Sequence, residues 1–107
     1  MGGKWFLVER GERVLFSTLV LYEWRRGPRL EEELAAQEAL FPPISAVPFG
    51  REEASLAARL YQTAGGPRGR ELDLAIAACA LTHRAALWTL NARDFRDIPG
   101  LRLLDAR

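Results

Sequence analysis

Residues 71–95 read ELDLAIAACALTHRAALWTLNARDF, and the order of features in them decides the fold. From Leu72 to His83 alanine and leucine dominate and no Gly or Pro intervenes, which predicts a helix. That helix is apolar on most sides, so it belongs in the interior. Ala86 to Leu90 is a short apolar run that predicts a strand, and Asn91 to Phe95 predicts a turn or a single helical turn. A buried helix leading directly into a strand is the repeating unit of an α/β domain with a mostly parallel sheet.

Upstream, Gly65-Gly66-Pro67 is a clear breaker, extended by residues 68–70. Before it, Arg51 to Ala64 predicts a helix with Leu56, Ala57, Leu60 and Tyr61 on one face. Pro42-Pro43 ends a further helix, the exposed Glu- and Ala-rich stretch Leu30 to Leu40, and Ile44 to Val47 is a short strand candidate. Arg13 to Ser17 predicts a buried strand, after which Ser17 or Thr18 caps a short helix that Gly27-Pro28 stops. Trp5 to Arg10 is amphipathic and followed by Gly11, which favours a helix with a glycine stop over a hairpin with the next segment. Downstream, Leu101 to Leu104 predicts a last strand. No repeat or linker divides the 107 residues, so a single domain over 1–107 is expected.

Net charge is +1, with Lys4 the sole lysine, so there is no global basic field of the kind nucleic-acid binders often carry. Any nucleic-acid contact must come from local arginine clusters. The single cysteine, Cys79, excludes a disulfide within the chain and suits core packing, which with the absence of a signal-peptide pattern leads to the expectation of a cytoplasmic protein. No apolar run approaches the roughly 20 residues that span a bilayer, so no membrane association is expected.

Three acids stand in unusual places. Glu23 lies in the apolar segment Leu19–Trp24, Asp73 between Leu72 and Leu74 at the start of the buried helix, and Asp94 just after the strand at Ala86. In an open α/β sheet the carboxyl ends of the strands and the N-termini of the returning helices share one edge, so all three carboxylates are expected there. Such a cluster repels itself without a counter-charge. A hard divalent cation, Mg2+ or Mn2+, relieves the repulsion and suits oxygen donors; the one histidine, His83, and one cysteine give no zinc spacing. Each acid also has a plainer role: Glu23 pairing with Arg26, Asp73 favouring the helix dipole, Asn91 and Asp94 forming a capping box. His83 suits a helix C-terminus, and Trp5, Trp24 and Trp88 suit core packing. Arg25, Arg26, Arg68, Arg70, Arg93 and Arg96 flank the acids, either as a solvated surface or as contacts for RNA phosphates.

Three stretches together, RVLFSTLVLYEWRRG (13–27), ELDLAIAACALTHRAALWTLNARDF (71–95) and IPGLRLL (98–104), resemble the PIN-domain ribonucleases, and among them the VapC toxins of bacterial toxin–antitoxin pairs. Glu23 before Gly27 matches the family's acidic helix. Asp73 with Ile76, Ala77, Ala78 and Ala80 matches "D-x-x-I-A-A-x-A", and Thr89, Asn91, Asp94 and Phe95 match the closing motif. The resemblance implies a PIN-like three-layer α/β/α domain and a metal-dependent endoribonuclease. Glu23 and Asp73 would be metal ligands, Asp94 and Asn91 would share the last ligand position, and Thr89 would support the site. Arg25, Arg26, Arg70 and Arg93 would hold RNA. It further implies a homodimer and a cognate antitoxin as partner. The family begins with a strand ending in Asp, and nothing in Met1 to Arg10 matches it. The expectation is therefore an N-terminally truncated domain with its first central strand absent, two inner strand edges open, and a sheet that folds poorly or is repaired by dimerisation. Loss of that Asp also gives the competing expectation, a catalytically inactive module that binds antitoxin or nucleic acid.

Overall fold

The computed structural model describes residues 6–9, 13–66, 68–89 and 92–105. Trp5, Gly11, Leu90 and Asn91 lie outside the described residues. Strands β1 (Phe6–Glu9) and β2 (Arg13–Leu15) come first. Helices α1 (Thr18–Arg26), α2 (Glu31–Leu40), α3 (Arg51–Thr63) and α4 (Glu71–Thr82) follow, then strands β3 (Ala86–Thr89) and β4 (Leu103–Asp105). Two 3-10 turns, Pro43–Ser45 and Ala92–Phe95, complete the regular structure.

The sheet order is β2-β1-β3-β4. β3 and β4 pair in parallel, Leu87 opposite Leu103 and Thr89 opposite Asp105. β1 pairs antiparallel with both neighbours: Leu7 faces Leu15 on one side and Leu87 on the other. β2, β3 and β4 therefore point the same way and β1 alone runs against them. The class is α/β, as expected, although the strands do not alternate with the helices: two precede the four α-helices and two follow them.

Two expectations change. Phe6–Glu9 is a strand of a hairpin, not part of a helix: only three residues separate it from β2, a connection that permits antiparallel pairing and no crossover. That hairpin places β1 between β2 and β3, so the inner edges expected to be open are both paired. Among the described residues, no parallel strand ending in Asp occupies the centre of the sheet, where the reversed β1 stands. Glu9, the acid of β1, consequently lies level with Arg13 at the start of β2, on the edge away from the carboxyl ends of β2, β3 and β4. The second change is at Ile44 to Val47. Pro43–Ser45 forms a 3-10 turn, and only Val47 makes a bridge, in parallel with Ser17.

The core explains the helices. In α4 Leu74, Ile76, Ala77, Ala78, Cys79 and Ala80 are all buried, the outcome for a helix without a polar face. Small side chains let α3 and α1 approach it closely. Phe16 stacks on Trp24 of α1 with centroids 5.3 Å apart, and Phe41 meets both rings. Trp24 is thus a core residue, as expected, whereas Trp88 on β3 is 37% exposed. The Ser17 hydroxyl accepts the Val20 N–H at 3.3 Å and starts α1. α2 buries no residue, in keeping with its glutamate-rich composition. His83 caps the C-terminal end of α4, and its Nε2 lies 3.5 Å from the buried Glu53 of α3. Cys79 is fully buried, and desolvation pushes its thiol up to about 12.

Candidate functional site

α1 starts at the carboxyl end of β2, α4 starts where β3 will end, and the Ala92–Phe95 turn follows β3. These three departures bring the acids to one edge of the sheet. Asp73 is the third residue of α4, half-buried, and its carboxyl is raised above its ordinary value. Burial is the main cause. The charge of Asp94 adds to it, Arg70 opposes it, and Glu23 contributes a smaller upward push. Glu23 and Asp94 are therefore near enough to Asp73 for their charges to be felt through the site.

Glu23 has a side chain only 11% exposed, and Arg26 Nε contacts its Oε2 at 2.8 Å. The pairing expected from their spacing is present, and it sits beside the other acids. Asp94 is exposed at the surface. With Asp73 it lines a recess of about 400 Å3 whose other walls are Gly69, Arg70, Arg93 and Asp97. Thr89 is fully buried at the last position of β3. Asn91, the expected capping partner of Asp94 and sharer of the last ligand position, lies outside the described residues.

Of the arginines, Arg93 is exposed on the rim of the recess. Arg25 forms an ion pair with Glu38 of α2, and Arg26 is held by Glu23. Arg70 is committed within the chain: Nη1 donates to Asp97 Oδ2 at 2.8 Å, and Nη2 donates to Asp97 Oδ1 at 3.0 Å and to the Asp94 carbonyl at 2.8 Å. The hydrogen bond to Asp97 holds the Arg70 guanidinium above its usual range, and the same bond holds the Asp97 carboxyl below its own. Asp97 escaped the sequence reading. Its signal was its position three residues after Asp94, matching Arg70 three residues before Asp73, but the pairing joins segments 27 residues apart and is set by tertiary structure.

The donor chemistry suits a hard divalent cation: carboxylate oxygens, one of them on Asp73 disfavoured as an anion by burial first and by the neighbouring acids second. Among the described residues, no three acidic, histidine or cysteine side chains close around a point where an ion could sit. β1 adds no acid at this edge.

The PIN domain family profile matches residues 4–101. The chain belongs to the PIN-domain family. It is 36% identical over 98 residues to ribonuclease VapC19 from two strains of Mycobacterium tuberculosis, CDC 1551 / Oshkosh and H37Rv, a match spanning 90% of this chain and 78% of that protein. This places it with the VapC-type PIN domains, as the motifs around Glu23, Asp73 and Asp94 imply. Among the described residues, no helix of this PIN domain is long and apolar enough to cross a membrane.

Proposed function

We propose that this PIN domain is a cytoplasmic endoribonuclease of the VapC toxin type, dependent on Mg2+ or Mn2+. The observation that carries the reading is that Asp73 and Asp94 share the walls of one recess, with burial first, then the charges of Asp94 and Glu23, raising the Asp73 carboxyl. Mutual repulsion among acids held at one sheet edge is a standing cost unless a cation uses it. Similarity to a protein named ribonuclease VapC19 supplies the substrate class.

Glu23, Asp73 and Asp94 would hold the ion, with Asn91 sharing the last position and Thr89 supporting the end of β3. When bound, the ion would lower the pKa of a water and offset charge on the scissile phosphodiester. The chain's own part is to gather the three carboxylates at one sheet edge, Asp73 and Asp94 on the walls of the recess and Glu23 near enough for its charge to reach Asp73. Arg93 on the rim would steer an RNA phosphate toward it, and Arg25 and Arg26 would extend that contact along α1. A homodimer and a cognate antitoxin covering the recess complete the proposal.

The test is cleavage of a structured RNA in Mg2+ or Mn2+. Wild type should cleave, and Glu23→Gln or Asp73→Asn should lower the rate by at least about 100-fold. Equal cleavage by all three proteins would exclude the reading. One observation favours the second reading, an inactive module that binds antitoxin or nucleic acid: β1 runs in reverse and brings no acid to the site. Under that reading, calorimetry with Mn2+ should show no binding that depends on Asp73.

A further inference from the structure

Residues 92–98, which follow β3, are held differently on their two sides. Ala92–Phe95 is a single 3-10 turn, and the chain reaches β4 through an irregular run with Pro99 and Gly100. Ala92, Phe95 and Ile98 anchor its inner side in the core. On its outer side the described contact to another element is the one made by Arg70. That guanidinium spans the gap between the start of α4 and the turn, gripping the Asp97 carboxylate with two parallel bonds and the Asp94 carbonyl with a third. Arg70 is also the residue preceding α4, three positions before Asp73. The two acids that share the recess are thus carried on segments that Arg70 bridges on their outer side.

We infer that Arg70 and Asp97 form a latch that positions Asp94 against Asp73, and that Asp97 is a positioning residue of this site. The inference rests on the reading of Asp73 and Asp94 as metal ligands. An exposed ion pair ordinarily adds little to stability, and Asp97 is 60% exposed. The value of this one is geometric. A planar fork bound at both nitrogens and also to a backbone carbonyl fixes distance and angle together, and residues that orient metal ligands commonly change metal affinity by 10–100-fold when removed. The same bonds take Arg70 out of the set that would contact RNA and leave Arg93 as the cation of the recess directed to substrate.

The experiment compares wild type, Asp97→Ala, Arg70→Gln, the double variant and Asp73→Asn by Mn2+ calorimetry, and follows amide exchange over 92–98 in metal-free protein. Asp97→Ala and Arg70→Gln should each weaken Mn2+ binding by about 10-fold. The double variant should be no worse than either single one, and exchange over 92–98 should quicken while α1 and α3 keep their protection. With an RNA substrate, the latch variants should require more Mn2+ and show an unchanged KM for RNA. Unchanged exchange in Asp97→Ala overturns the latch, as does unchanged Mn2+ affinity while Asp73→Asn abolishes binding. A raised KM for RNA in Arg70→Gln alone also overturns it, in favour of a substrate contact. Identical Mn2+ behaviour in wild type and Asp73→Asn would remove the metal-site reading and, with it, the positioning role; quickened exchange would then mark a purely structural contact.

Discussion

Asp73 carries two opposed effects at one carboxylate. As the third residue of α4 it faces the positive end of the helix dipole, which favours its charge by about 0.3–1 kcal/mol. Burial and the charges of Asp94 and Glu23 disfavour it, and the net shift is upward. An acid whose carboxyl is raised by folding gives its full stability below the ordinary carboxylate range and loses it as pH rises through the raised value. In metal-free protein Asp73→Asn should therefore raise Tm at pH 7, with the difference shrinking as pH falls through and below the carboxylate range. Thermal unfolding across that pH range checks this. A lower Tm for the variant at pH 7 would mean that the dipole prevails and that the site is not strained. Glu23, Asp73 and Asp94 were all readable as residues out of place in apolar or strand-end settings. Asp97 was not, because an acid in a polar loop is ordinary until its partner is known.

At the scale of elements, what could be read followed local chemistry. α3 and α4 were legible because breakers bound them and their composition favours helix. Ser17 was legible as a cap because its hydroxyl has a fixed task three residues on. The six residues from Trp5 to Arg10 carry too little periodicity to separate helix from hairpin, and for Phe6–Glu9 the decision lies in pairing with β2 and β3. Val47 failed as a strand for the related reason that its only ladder contact is with Ser17. The junction between α4 and β3 illustrates a local rule broken. The Ala85 N–H bonds the Ala80 carbonyl and the Arg84 N–H bonds that of Leu81, the bond pattern of a helix ending on a left-handed residue. Glycine usually stands there, yet Arg84 does so with φ 55°. Relief of the Cβ clash, less the entropy glycine loses, should make Arg84→Gly more stable by about 0.5–1 kcal/mol. Urea unfolding would show a higher midpoint at constant m-value; a fall would mean that the arginine side chain compensates for its own backbone.

For the whole molecule, the decisive strand is β1. It is the one element of the sheet with partners on both sides before β3, and it runs against all the others. A family-type parallel strand would deliver its terminal acid to the edge where α1 and α4 begin. The reversed hairpin keeps the sheet closed but carries Glu9 to the far edge, so closure of the fold and completeness of the site are separate matters in this chain. Closure is testable by itself. Leu7 is paired with Leu15 and with Leu87, so a proline there removes a backbone donor from the middle of the sheet and forces a φ that interior strands do not adopt. Leu7→Pro should destabilise the protein by at least about 2–3 kcal/mol beyond Leu7→Ala, which removes the side chain alone. Denaturant unfolding of both variants checks this. If the two unfold together, β1 is dispensable to the sheet and β2 and β3 must be held by the helices. If proline is the worse of the two, the hairpin is the sheet's own repair, and a loss of nuclease activity in this chain would have to be traced to the acid that β1 does not supply rather than to a failure to fold.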